Sequence, residues 1–185
     1  MLRLRPYKSC DAEIIAGWLK DEDVFYKWSG GRFGEFPISA RDIDDKYGLQ
    51  NGDCLEQDNF YPMTAFDDSG VVGHFIMRYI HGDYRILRLG WVIVDAAKRG
   101  RSYGSGMLKL GLKYAFEILG AENVTIGVFE NNLPAYRCYR AVGFQEALME
   151  KEESADIKGE HWKIIELEIM KGMYQRTVQN AQNSK

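Results

Sequence analysis

Hydrophobic and polar residues follow two different periods along this chain, and the changes from one to the other mark its elements. Residues 2–7 alternate as a short strand, and residues 12–20 set Ile14, Ile15, Trp18 and Leu19 at helical spacing behind Ser9 or Asp11 as a cap. Residues 26–37 hold Ser29-Gly30-Gly31 and Gly34 and read as a loop. Ser39 followed by Asp42 is a capping-box variant opening a helix to about residue 47, and the polar run 48–59 reads as loop again. Apolar strands are predicted at 60–66 and 71–79 around the turn Asp67-Asp68-Ser69-Gly70, and a third at 85–94 after His81-Gly82-Asp83. From 104 to 119, Met107, Leu108, Leu112, Ala115, Ile118 and Leu119 make one helical face opposite Lys109, Lys113 and Glu117, with Gly120 as C-cap. A strand at 124–129, a helix at 132–142 with Pro134 in its first turn, a strand at 144–151, a polar turn at 152–160 and a last strand at 162–170 complete the pattern. Residues 173–185, rich in Gln and Asn, are expected as a polar tail, either frayed helix or disorder. With no repeat or linker, residues 1–172 are expected to form one α/β (α+β) domain, a mixed, mostly antiparallel sheet with helices on both faces.

The junction near residue 94 carries the most chemistry. The strand ending Trp91-Val92-Ile93-Val94 runs through Asp95-Ala96-Ala97-Lys98-Arg99-Gly100-Arg101-Ser102-Tyr103-Gly104-Ser105-Gly106 into an amphipathic helix. Backbone N–H groups at a helix start lack internal partners, the helix dipole adds partial positive charge, and glycines let the chain approach a phosphate. A Walker A loop is excluded, because no Lys-Ser or Lys-Thr pair follows the glycines. A dinucleotide fingerprint fails on spacing, with Gly100, Gly104 and Gly106 deep in the chain rather than in a first βαβ unit.

This segment resembles the acetyl-CoA loop of the GNAT superfamily of N-acetyltransferases: a Val, four residues, then R-G-x-G-x-G/A and an apolar helix. Arg99-Gly100-Arg101-Ser102-Tyr103-Gly104 fits in the register set by Val94, with Ser102 where the family often has glycine. Arg101-Ser102-Tyr103-Gly104-Ser105-Gly106 fits the shorter signature [QR]-x-x-G-x-[GA] in a second register, so either Arg99 or Arg101 heads the motif. A second block downstream, Val128 through Asn132, Ala135, Tyr139 and Gly143-Phe144, resembles the family pattern V-x-x-x-N-x-x-A-x-x-x-Y-x-x-x-G-F at every fixed position. The resemblance covers roughly residues 70 to 170.

Composition narrows the class. A chain of 185 residues, 45% hydrophobic and 28% charged, is the size of one domain with a sizeable core. A formal net charge of −3 offers no general attraction to nucleic acid, which is not expected as a partner. No run reaches the ~18 apolar residues of a membrane span and residues 1–5 lead into polar sequence, so the expected location is cytoplasmic, without membrane contact. Cys10, Cys54 and Cys138 are odd in number and widely spaced, which argues against disulfides and structural zinc; no metal is expected. Cys138 is expected as a half-buried structural residue.

The resemblance implies an acetyl-CoA-dependent N-acetyltransferase acting on a primary amine of a small molecule or a protein N-terminus; a homodimer is left open. Within it, Arg99, Gly100, Arg101, Ser102, Tyr103, Gly104 and Ser105 would bind the pyrophosphate, chiefly through backbone N–H groups. The backbone of Val92, Ile93 and Val94 would bind the pantetheine arm, and Asn132 would contact the same arm, cap its helix, or both. Tyr139 would give a proton to the departing thiolate, for which a phenol of ordinary pKa near ~10 is suited. Two places where family branches carry a Glu base hold Arg88 and Gly127 here. Glu130, His74, Asp83, Glu35 or water remain as bases. A non-catalytic acyl-CoA-binding module is the alternative that the missing carboxylate would suit. The aromatics Trp18, Phe25, Tyr26, Trp28, Phe33, Phe36, Phe60 and Tyr61 are expected to be mostly core, with the loop from Trp28 to Phe36, carrying Arg32 and Glu35, placed to cover an acceptor.

Overall fold

A computed structural model of the chain describes residues 1–149 and 151–183. Its strands are β1 (Arg3–Pro6), β2 (Tyr61–Asp67), β3 (Gly70–Ile80), β4 (Asp83–Val94), β5 (Asn123–Phe129), β6 (Gln145–Glu146), β7 (Glu153–Ile157) and β8 (Glu160–Met170). Its helices are α1 (Ala12–Trp18), α2 (Glu22–Ser29), α3 (Ala40–Asp44), α4 (Tyr103–Lys113), α5 (Leu133–Val142) and α6 (Lys171–Asn183). The strands form one sheet in the order β1-β2-β3-β4-β5-β8-β6, with β7 also pairing with β8. Every pairing is antiparallel except β4 with β5, whose connection runs through α4 as a parallel crossover requires. The fold is therefore the mixed, mostly antiparallel sheet that the element order implies.

Period-two alternation sends successive strand residues to opposite faces, and each face has its own core. Phe75, Met77, Leu87 and Leu89 pack with Met107, Leu108 and Leu112 of α4 and Tyr139 and Val142 of α5 on one face. Ile76, Trp91 and Ile93 pack with Ile15, Phe25, Trp28 and Ile43 of α1 to α3 on the other. Among the described residues no helix is long and apolar enough to cross a membrane.

The elements depart from the sequence pattern in four places, and at the C-terminal tail helix is the alternative that the structure holds. Residues 26–29, expected as loop, belong to α2: Asp21 caps it by accepting the Val24 N–H at 2.8 Å, and Gly30 ends it at φ +61°. The glycines that suggested a loop are the helix stop. Residues 144–151 shorten to the two-residue β6, with residue 150 outside the described residues. The polar turn expected at 152–160 contains β7, which hides its identity because only Ile157 of its five residues is buried. Residues 171–183 are α6, anchored where Tyr174 stacks near Phe116 at 4.9 Å and donates to Glu117 at 2.6 Å; residues 184–185 of the expected tail lie outside the described residues. Asp11 precedes α1 but makes no side-chain cap; its buried carboxylate instead takes two hydrogen bonds from Arg5, at 2.6 and 2.7 Å, and one from Thr64.

Candidate active site

The site originates in a local failure of strand pairing. β4 and β5 are paired only from Ile86–Asn123 to Leu89–Ile126. Beyond that point Trp91 and Val92 stand opposite Phe75 alone, a β-bulge with Trp91 at φ +46°. A bulge bends its strand, while Gly127 to Phe129 continue straight along β8. The gap between the two strands leaves a cleft of about 520 Å³, within the range of ligand pockets. Gly90, Trp91 and Val92 form one wall, and Val128, Asn132 and Tyr139 the other. The end of α2 (Trp28, Ser29, Gly30) closes it on one side, and Arg32, Arg78 and Arg88 bring positive charge. The Trp28 indole fixes the bulge by donating to the Trp91 carbonyl at 2.8 Å.

Tyr139 is 6% exposed and its hydroxyl makes no hydrogen bond among the described residues. Burial, with a smaller push from Cys138, raises its pKa above the ordinary value. The phenol therefore stays protonated at neutral pH inside the cleft. Asn132 lines the same wall, makes no side-chain cap on α5 and has no hydrogen bond to its amide among the described residues, so the capping role is not present in this structure.

At the end of β4 the chain turns through residues 95–98, where Asp95 accepts the Ala97 N–H at 2.9 Å, and passes Gly100 at φ +75° and Ser102 at φ +61°. Ser102 thus holds the left-handed conformation that makes glycine common at this place. The first intrahelical bond of α4 runs from the Gly106 N–H to the Ser102 carbonyl at 2.9 Å, leaving the N–H groups of Tyr103, Gly104 and Ser105 ahead of it. Tyr103 ties this end to the β2–β3 hairpin by donating to Asp67 at 2.6 Å, and Lys98 reaches Ser69 of the same hairpin. Arg99 and Arg101 are exposed and have no carboxylate partner among the described residues. Residues 99–105 lie outside the cleft proper, past the end of its β4 wall.

Gly104 carries a second constraint. A Cβ there would sit 3.3 Å from Cys138 Sγ on α5, so the absent side chain keeps two helices close as well as leaving the loop open. Cys138 is half-buried, as expected.

None of the four side chains proposed as a base lines the cleft. His74 is fully buried on the opposite face of β3 from α4, stacked on Tyr47 at 5.4 Å with its Nε2 2.7 Å from the Tyr47 hydroxyl. Asp83 is held by Arg85 at the β3–β4 turn, and Glu35 and Glu130 are exposed. The two positions that lack a family carboxylate share one device. Arg88 reaches over Gly127 to Glu166 on β8, its Nη1 to Oε1 and its Nη2 to Oε2 at 3.0 Å. A Cβ at Gly127 would lie 2.6 Å from Arg88 Nη2, so the guanidinium in this pose occupies the space that the glycine leaves. Glu166, which sequence patterns do not single out, places a buried carboxylate beside the cleft but spends it on Arg88.

The model of the Acetyltransferase (GNAT) domain family matches residues 1–145, and the chain belongs to that family. A curated relative, a butyryl-CoA dehydrogenase of Syntrophomonas wolfei subsp. wolfei, is 27% identical over 159 residues, which are 78% of this chain and 25% of that protein. The chain thus spans about a quarter of the length of the curated relative it matches. Among solved structures, the spermidine N-acetyltransferase of Vibrio cholerae in complex with CoA and spermine superposes with a TM-score of 0.76 at 20% identity, over 94% of this chain and 98% of that one. A dodecameric structure of the Vibrio cholerae enzyme in an intermediate state gives a TM-score of 0.69 at 20% identity, over 94% and 95%. At such identities the likeness is one of fold.

Proposed function

We propose that this chain is an acetyl-CoA-dependent N-acetyltransferase that passes an acetyl group directly to a primary amine of a small molecule. The observation that carries this reading is the cleft between β4 and β5 with the unpartnered Tyr139 hydroxyl inside it. The residues fit the cosubstrate. The unpaired edge of β4 at Val92, Ile93 and Val94 offers backbone groups to the amides of a pantetheine arm. The N–H groups of Gly100 to Ser105 suit a pyrophosphate, with Arg99 or Arg101 adding a charge-assisted contact. Asn132 is free to bind the arm. When bound, acetyl-CoA supplies the activated acetyl thioester.

Tyr139 holds the proton that the departing thiolate takes up. Its raised pKa keeps that proton in place at neutral pH; because a thiol of ordinary pKa near ~8.5 is the stronger acid, the transfer to the thiolate is uphill by itself and is completed by the proton that the acylated amine releases, which returns through water to Tyr139. The acceptor amine reacts in its neutral form. With Glu166 occupied by Arg88, water carries away the amine's proton. The dehydrogenase activity named for the Syntrophomonas protein is not part of this reading, since the match covers a quarter of that protein and the matched portion has the acetyltransferase fold here.

Two measurements test the proposal. Acetyl-CoA at ~100 times its dissociation constant should add about 2.7 kcal/mol of stability, seen as an upward thermal shift that ATP does not reproduce. Tyr139→Phe keeps the ring and should leave acetyl-CoA affinity nearly unchanged while lowering turnover by ~10² to 10⁴. Absence of CoA binding at millimolar ligand sinks the reading, and binding without turnover against any amine would leave an acyl-CoA-binding module.

A further inference from the structure

Arg78 and Arg88 are direct cross-strand partners on β3 and β4. Like charges placed opposite one another destabilise a sheet, so such a pair persists only where something offsets it. Glu166 offsets Arg88. Nothing does the same for Arg78: among the described residues it has no ion pair, and its Nε is buried without a hydrogen-bond partner. Its charged surroundings do not supply the missing anion. Cys54 takes a side-chain hydrogen bond from Arg78 but is a thiol whose pKa burial raises, Asp53 is already bound to Lys46 at 2.9 Å, and Glu56, beside Cys54, is exposed and accepts from the Asn59 amide at 3.4 Å. Arg32, at the mouth of the same cleft, adds a third positive charge, and desolvation followed by the nearness of Arg78 and Arg88 lowers its pKa. Of the carboxylates lining the cleft, Glu152 is paired with Lys163 at 2.9 Å and Glu153 sits exposed on β7, where solvent screens it. Lys27 is paired with Asp23.

The arginines are not part of the anion loop. Arg88 precedes the bulge and Val94 follows it, a separation of roughly 20 Å at ~3.3 Å per strand residue. They line the same cleft as Trp28, Ser29 and Gly30 at the end of α2, Arg78 on β3 beyond β4 and Arg88 reaching over Gly127 to Glu166.

We infer that Arg78, assisted by Arg32, binds the carboxylate of an acceptor that carries both an amine and an acid, so that the substrate class is an amino acid rather than a polyamine. The inference rests on the transferase reading above and specifies its acceptor. A planar carboxylate matches the guanidinium fork and would satisfy the orphaned donor of Arg78. The same positive charge disfavours an ammonium nearby, which helps present the amine in its neutral form where no free carboxylate acts as base. A dication would meet the arginines with its second charge and be repelled.

The test compares matched acceptors at saturating acetyl-CoA, with acetyl-CoA binding measured separately by calorimetry. At chain lengths of three to five carbons, each primary amine carries at its other end a carboxylate, a methyl group or a second ammonium; common α-amino acids and their amides complete the panel. The expected result is a kcat/KM about ten-fold or more higher for the carboxylate-bearing amines. Arg78→Gln should bring the ratio of carboxylate-bearing to neutral acceptor towards one, chiefly through KM, and Arg32→Gln should do so more weakly. The comparison with the unaltered protein needs neither variant to fold. Equal or better use of the diamines, or acetyl-CoA binding with no carboxylate-bearing amine acetylated, overturns the inference while leaving the transferase fold and cosubstrate intact. No binding of acetyl-CoA overturns the reading beneath it as well.

Discussion

Ser102 holds φ 61°, ψ 14° without a side-chain cap bond to repay it. That conformation costs an L-residue about 1–2 kcal/mol, because Cβ crowds the following carbonyl. Ser102→Gly removes the clash, and part of the gain is returned as extra freedom of the unfolded chain. A net rise of about 1 kcal/mol, or roughly 2–4 °C in Tm for a chain of this size, is expected by calorimetry. An unchanged or lowered Tm would mean that the hydroxyl compensates in a way the hydrogen-bond geometry does not record. Trp91 at φ +46° is a parallel case, but its side chain is committed: it stacks on Tyr47 at 5.8 Å and lies edge-on to Phe33 at 4.8 Å. There the packing outweighs the backbone cost.

At the scale of elements, α4 is a glycine-lined helix pressed on three neighbours. A Cβ at Gly104 would meet Cys138 of α5 at 3.3 Å, at Gly106 Leu2 at 3.0 Å, and at Gly111 the Phe75 ring of β3 at 2.9 Å. These glycines keep the helix close enough to hold its N-terminus at the end of β4. Gly104→Ala should therefore lose most of the ~1 kcal/mol that a helical Gly→Ala exchange otherwise gains, and Cys138→Ala in the same chain should restore part of it. Urea unfolding of the two single variants and the double variant decides this. Strict additivity would remove the Gly104–Cys138 contact as the cause. Gly111→Ala should be less favourable than Gly104→Ala, because the Phe75 ring is fully buried and has no room to yield.

The whole molecule has two cores separated by the sheet, and an ionisable group lies in one of them. His74 is fully buried, and burial pushes its pKa down to about 3. It is neutral in the folded protein at any pH above that, whereas an unfolded chain takes up the proton near ~6.5. Between these values the unfolded state binds more protons, so stability falls as pH falls below 6.5. The expected slope is about 1.4 kcal/mol per pH unit, or about 2 kcal/mol lost by pH 5. Chemical denaturation at pH 7 and pH 5 measures it, and His74→Gln should flatten the difference. An undiminished difference in that variant would assign the acid sensitivity to other groups. The carboxylate of Asp11 contributes at lower pH: burial raises its pKa, but hydrogen bonds from Arg5, Thr64 and the Lys8 N–H more than offset this and hold it below the usual value, so its stabilisation is lost only on further acidification.

The sequence by itself determined most of the strand and helix order, though not α2 or β7, the loop that follows Val94, and the placement of Tyr139 on a helix with Asn132 at its start, because each is encoded in residues close together in the chain. Hydrophobic period, cap residues and a motif of fixed spacing are local signals. Tertiary structure alone decided what meets across strands. The ion pair from Arg88 to Glu166 joins residues 78 positions apart, and its guanidinium passes over Gly127. The opposed arginines 78 and 88 follow from the β3–β4 register, and β7 exists because β8 offers it an edge. Asp11 shows the difference at one residue. Its position suggests a helix cap, but a buried carboxylate must be paired, and the Arg5 guanidinium that pairs it is brought alongside by the sheet.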